Sequence, residues 1–180
     1  MADMTTTRVS AAEFDEFTAQ EERRFELIDG EVIEMAPPIV LHQDIILNTA
    51  FTLKPLIPDG KLYISPIEVY LDEHNIPQPD LVWVSSNSIC KVERRRLVGA
   101  PDLVVEVLSP STAKRDKTAK FRLYEQHGTR EYWMVDPDNH LIEVWKQGAN
   151  GFERQGVYGA GDSFESAALG KTVDATLIFG

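Results

Sequence analysis

Hydrophobic and polar positions follow two different periods along this chain, and the changes of period mark its elements. Ser10 and Glu13 fit a capping box, which predicts a short helix from there to about Gln20. Residues 25–29 and 31–35 alternate around Asp29 and Gly30, a pair suited to a type I′ turn, and so predict a β-hairpin. From Pro38 to about Leu56 the apolar residues Val40, Leu41, Ile45, Leu47, Phe51 and Leu56 recur at helical spacing, with Pro55 near the end. Residues 61–71 return to period two, with Tyr63, Ile67, Val69 and Leu71 on one strand face. Residues 79–84 and 101–108 are short runs that are apolar on both faces, as central strands covered on both sides must be. A helix follows from the 109–112 cap to about His127, with Gly128 in place to end it. Residues 131–136 and 141–146 flank a Pro-Asp-Asn turn and predict a second hairpin. Residues 152–158 and 173–179 read as edge strands. Together these elements predict an α/β (α+β) domain over residues 1–180, with a mixed sheet, at least two covering helices and added terminal hairpins.

Composition narrows the classes. Hydrophobic residues make up 43% and charged residues 26% of the 180, the balance of a globular chain with a sizeable core. The single cysteine, Cys90, excludes an intrachain disulfide and a cysteine-rich zinc site. No apolar run is long enough to span a membrane, and residues 1–7 lack the pattern of a signal peptide, so a cytoplasmic location is expected. A net charge of −11 argues against a nucleic-acid partner when taken as an average. The average conceals a reversal, because residues 91–122 hold nine basic residues against four acidic ones, a local excess of +5.

Phosphate-loop, zinc-protease and serine-hydrolase motifs are absent, and the four histidines are scattered. The informative residues are acids on apolar strands. Glu106 lies in the middle of an apolar strand, where a carboxylate is costly unless it is paired or binds a metal. Asp80 opens the neighbouring apolar strand 26 residues earlier. Two carboxylates on adjacent strands make an oxygen site for Mg2+, which can polarise a phosphoryl oxygen. Structural roles compete with this reading: Asp80 as a turn residue, Glu106 as a member of an ion pair. Asp102 shares the strand face of Glu106 by period two and reads as a strand-start residue. Helical phase puts Lys120 inside the apolar stripe of its helix, whereas Arg115 and Arg122 fall on the opposite, solvated side. An Asp116–Lys120 pair at i,i+4 is the simpler account of that lysine.

A resemblance joins these pieces. Pro79-Asp80, Val104-Val105-Glu106-Val107-Leu108-Ser109-Pro110-Ser111-Thr112, then Asp116, Lys120 and Tyr124, then Gly128 and residues 131–137, resemble the Uma-type putative restriction endonuclease family of the PD-(D/E)XK nuclease superfamily. Residues 25–31 and His42 match it as well, so the likeness runs over about residues 10–178. It implies a restriction-endonuclease-like mixed sheet flanked by helices, and a metal-dependent endonuclease acting on DNA. It implies that Asp80 and Glu106 hold Mg2+ or Mn2+, with the backbone carbonyl of Val107 joining them. The superfamily lysine expected two residues after the glutamate is Leu108 here, and Lys120 is the candidate replacement. The resemblance adds Glu26 as a further acid, and His42 as a further site residue or a packing or helix-opening cap residue. Arg94, Arg95, Arg96, Lys114, Arg115 and Lys117 are the candidate contacts to the DNA backbone. A homodimer is allowed, since duplex DNA has two strands. The missing in-strand lysine and the −11 charge favour an alternative, a nuclease-fold binding or regulatory module with little or no catalysis.

Overall fold

The computed structural model describes residues 8–110 and 112–180. Helix α1 (Ala11–Thr18) starts at Ser10, whose side chain and that of Glu13 close the expected capping box. Strands β1 (Phe25–Ile28) and β2 (Glu31–Glu34) form the first hairpin. Its turn has positive φ at both Asp29 (53°) and Gly30 (78°), as the type I′ geometry requires. Helix α2 (Val40–Leu53) follows. The periodicity located this helix, but most of the apolar residues that reveal it face outward. Val40, Leu41, Leu47 and Phe51 are exposed, and the buried face is Ile45, Ile46, Thr49, Thr52 and Leu53.

The single strand expected over residues 61–71 is two: β3 (Lys61–Ile64) and β4 (Val69–Tyr70), which belong to different sheets. Pro66 lies between them and lacks the N–H that a continuing ladder needs. Strands β5 (Leu81–Val84), β6 (Lys91–Val92), β7 (Leu97–Val98) and β8 (Leu103–Val107) come next. The long helix expected before His127 is broken. It runs as α3 (Ala113–Arg115), a π turn (Asp116–Lys120) and α4 (Phe121–Gln126). Strands β9 (Glu131–Asp136), β10 (Leu141–Gly148) and β11 (Gly151–Gly159) make a meander. The chain closes with a hairpin of β12 (Ser163–Ser166) and β13 (Lys171–Asp174), then α5 (Thr176–Phe179). Residues 173–179 were expected as an edge strand, but the strand stops at Asp174 and α5 takes the rest, covering the sheet instead of extending it.

The main sheet has six strands in the order β11-β10-β9-β8-β5-β3. Only β8 and β9 are parallel; the crossover through the broken helix joins them, and the other pairs are antiparallel. β5 and β8 are buried along their whole length, as expected for central strands. One face packs Leu81, Trp83, Leu103, Val105 and Trp133 against α2, the last hairpin and α5. The other packs Val82, Val104, Tyr132 and Met134 against Tyr124 of α4 and Val69 and Leu97 of the small three-stranded sheet. Glu106 interrupts this second face. Among the described residues, no helix is long and apolar enough to cross a membrane.

Candidate active site

Strand register puts the two acids together. β5 and β8 pair antiparallel with Leu81 opposite Val105, so one step further along Asp80 faces Glu106. By strand alternation both acids share the face of Val82 and Val104, under the broken helix. The Asp80 side chain is fixed from two sides. Its Oδ2 accepts the Val107 backbone N–H at 2.7 Å and lies 3.3 Å from His42 Nε2, at the start of α2. The N–H and C=O of one strand residue point the same way, so the Val107 carbonyl also faces this end of the sheet.

The helix above supplies the cation. Lys120 Nζ donates to Glu106 Oε1 at 3.0 Å and lies 3.1 Å from Glu26 Oε2 and 3.5 Å from Asp116 Oδ1. Tyr124 OH donates to the same Glu106 oxygen at 3.2 Å. Lys120, Glu26, Glu106 and Asp116 are each at most 3% exposed. The π turn sets this arrangement, since Asp116 and Lys120 are its first and last residues and both point inward. Single π turns inside α-helices are frequent at functional sites, because they change helical phase locally. Tyr132 OH secures the turn by donating to the Asp116 carbonyl at 3.1 Å. The same change of phase overturns the expectation that Arg115 is turned to solvent. Its guanidinium reaches Glu26 Oε1 at 3.1 Å. Glu26 also accepts the Gln78 backbone N–H at 3.4 Å.

Electrostatics follow from this crowding. Burial pushes the Glu106 carboxyl well above the usual carboxylate range; Lys120 pulls it down, while Asp116, Asp80 and Glu26 push it further up. Burial raises Asp116 in the same way. Burial works against the charge on Lys120, but Glu106, Glu26 and Asp116 outweigh it and keep the ammonium protonated. His42 is raised despite its burial, because Asp80 and the Val107 carbonyl favour its protonated form.

A cavity of about 420 Å3 opens over this cluster, lined among others by Arg24, His42, Asp80, Glu106, Arg115 and Lys120. Among the described residues, no three His, Cys, Asp or Glu side chains converge as a ready-made metal cage. The donors present nevertheless suit a hard cation that retains water. Among the described residues, Asp80 Oδ1 and Glu106 Oε2 accept no hydrogen bond, and Asp116 Oδ1 is buried without one. Four carboxylates meet only two permanent cations, Lys120 and Arg115, so ionising all four would leave negative charge for a bound cation to offset.

The remaining expected residues are placed elsewhere. Asp102 is not in the cluster; it lies at the other end of the strand, accepting the Ser85 N–H at 2.9 Å and pairing with Arg130 at 3.3 Å. Arg96 is buried against Asp15 and Glu68, and Arg95 lies 3.3 Å from Asp15. Arg94, Lys114 and Lys117 are exposed. Leu108 is buried in the apolar core of that face. Arg24 and Gln78 also line the cavity, and nothing in their sequence spacing marks them. Asp116, expected as an i,i+4 partner of Lys120, lies 3.5 Å from its Nζ and also lines the cavity.

A mixed sheet whose two central strands deliver an acid each to one end, with a lysine added from the covering helix, is a restriction-endonuclease-like arrangement. Comparison with known proteins agrees. The chain belongs to the Uma2 family, described as putative restriction endonuclease, whose profile matches residues 11–177. It resembles two uncharacterized proteins of Synechocystis sp. The protein sll1609 is 26% identical over 147 residues, covering 79% of this chain and 83% of that one. The protein slr1290 is 25% identical over 179 residues, covering 96% and 92%. A crystal structure of a putative nuclease belonging to DUF820 from Anabaena variabilis shares the fold. Its TM-score is 0.70 at 21% identity, covering 92% of this chain and 96% of that chain.

Proposed function

We propose that this protein is a divalent-metal-dependent endonuclease that hydrolyses DNA phosphodiester bonds. The support is the meeting of Asp80 and Glu106 on adjacent strands with the Lys120 ammonium 3.0 Å from Glu106. Asp80, Glu106 and the Val107 carbonyl would hold Mg2+ or Mn2+. When bound, that ion supplies Lewis-acid polarisation of the scissile phosphate and a bound water of lowered pKa. His42 and the Val107 N–H hold Asp80 in place. Lys120, kept charged by its three carboxylates, offsets negative charge developing on the phosphate. Arg94, Lys114 and Lys117 contact the DNA backbone without reading its sequence.

The test is a plasmid-nicking assay with Mg2+, Mn2+ or EDTA, run beside isothermal titration of Mn2+. Wild type nicks with either metal and not with EDTA. Asp80→Asn keeps the wild-type melting profile, Glu106→Gln stays folded but melts lower because buried Lys120 loses one of its carboxylates, and both lose at least 100-fold in rate, the order expected when preorganised charge is removed. Metal binding without cleavage of DNA or RNA would select the binding-module alternative.

A further inference from the structure

The outward face of α2 carries an ordered pattern that the site does not use. Val40, Asp44, Leu47, Phe51 and Lys54 are spaced 4, 3, 4 and 3 residues apart, and all five are exposed. They lie opposite the buried residues Ile45, Ile46, Thr49, Thr52 and Leu53. Val40 is 78% exposed, Leu47 49% and Phe51 70%, high values for three large apolar side chains in one row. Alternating steps of three and four are the seam spacing of a coiled coil. Asp44 and Lys54 have no ion-pair partner among the described residues.

The inner four positions are palindromic in chemistry. Read forward they are acid, apolar, apolar, base at spacings 3, 4, 3; a second α2 laid antiparallel across the first meets each residue with its complement. The two-fold axis then passes at the level of Thr49, so Leu47 packs on Phe51 of the other copy and Asp44 faces Lys54, each contact made twice. Asp44 and Lys54 are ten residues apart, about 15 Å along the helix, so both charge pairs close at the ends of the apolar contact. Antiparallel packing also opposes the two helix dipoles. The face is neutral as a whole, which matters because two chains of net charge −11 repel each other elsewhere.

We infer that α2 is the interface of an antiparallel two-fold homodimer, with a second copy of this chain as the occupant of its outward face. The contact is centred on one helix pair, near the small end of the interface range, so the dimer dissociates on dilution. Ile39 at the N-cap of α2 and His42 and Gln43 in its first turn line the cavity, so the two cavities lie at opposite ends of the helix pair. Nothing in this inference requires cleavage.

The experiment is sedimentation equilibrium of the full chain over roughly 1–100 µM, a range bracketing weak dimers, without metal or DNA. Wild type shifts from monomer to dimer across that range. Asp44→Lys alone, or Lys54→Asp alone, places like charges opposite each other twice and weakens the dimer about tenfold. The double variant Asp44→Lys with Lys54→Asp restores the opposite pairs and returns the dissociation constant to near wild type. Leu47→Ser with Phe51→Ser leaves a monomer. Thermal melts of all variants match wild type, since every altered side chain is on the surface. A wild type that stays monomeric throughout overturns the inference and leaves the stripe to a different partner. So does a dimer unmoved by Leu47→Ser with Phe51→Ser, or a double charge reversal no better than the single ones.

Discussion

Asp102 and Glu106 sit on one strand face four residues apart and meet opposite circumstances. Glu106 shares its space with three other carboxylates and one lysine. Asp102 has the Ser85 N–H, the Ser88 hydroxyl and Arg130. Burial pushes the Asp102 carboxyl up, but these donors together draw it below its ordinary value of 3.8. A lowered folded-state pKa means stability that is present above the unfolded value and is lost as pH falls through the folded one. Asp102→Ala should therefore cost about 1–2 kcal/mol at neutral pH, mainly from the lost bonds of the ionised carboxylate to the Ser85 N–H, the Ser88 hydroxyl and Arg130. The gap between its melting temperature and that of wild type should close as the pH is taken below 3.8. A gap constant from pH 7 to strong acid would assign the loss to packing instead.

Among the elements, the first hairpin depends closely on its turn. It carries Glu26, which receives Lys120, Arg115 and the Gln78 N–H. Gly30 has φ +78°, and a Cβ added there would meet Arg8 Cβ at 2.5 Å. Gly128, after α4, has a similar φ of +82° with nothing within 4 Å. The pair separates backbone conformation from crowding. Gly128→Ala should cost about 1 kcal/mol, the conformational penalty alone. Gly30→Ala should cost about 2–3 kcal/mol, because overpacking adds to that penalty. Urea unfolding of the two variants measures the difference, and equal losses would mean that Arg8 simply moves aside.

For the whole molecule, the basic stretch at 91–122 divides into charges that hold the chain together and charges that remain free. Arg96 lies between Asp15 of α1 and Glu68, and so ties the N-terminal helix to the loop before β4. Arg96→Ala should lower stability by about 2–3 kcal/mol, less than for a fully buried pair because both acids keep some solvent. That corresponds to a melting point roughly 5–10 °C lower. On the proposed function, the salt dependence of DNA binding should not change. Arg94→Ala should do the reverse, leaving the melt unaltered and reducing the salt slope by about one phosphate contact. Melting curves and binding isotherms at several salt concentrations test both variants together.

Local chemistry was enough to determine the capping box of α1, the Asp29-Gly30 turn, the fully buried strands β5 and β8, and the candidacy of Asp80 and Glu106. Each depends on a few neighbouring residues: a side chain closing on its own backbone, a positive φ that few residues accept, or a carboxylate surrounded by apolar neighbours. The inward phase of Lys120 was legible for the same reason, and its contact with Glu106 agrees. Tertiary structure decided whatever depends on distant segments. Residues 173–179 alternate like a strand, yet the last turn packs Ile178 into the core beneath α2. Period marked α2 as a helix, but only packing showed that its apolar stripe faces outward. A uniform 100° step placed Arg115 in solvent; a π turn, held by Tyr132 from β9, brought it to Glu26 instead. Arg24 and Gln78 reach the cavity because β1, the loop before β5 and the broken helix meet there. Periodicity reports which side of an element is apolar; what lies against that side is set by residues far away in the chain.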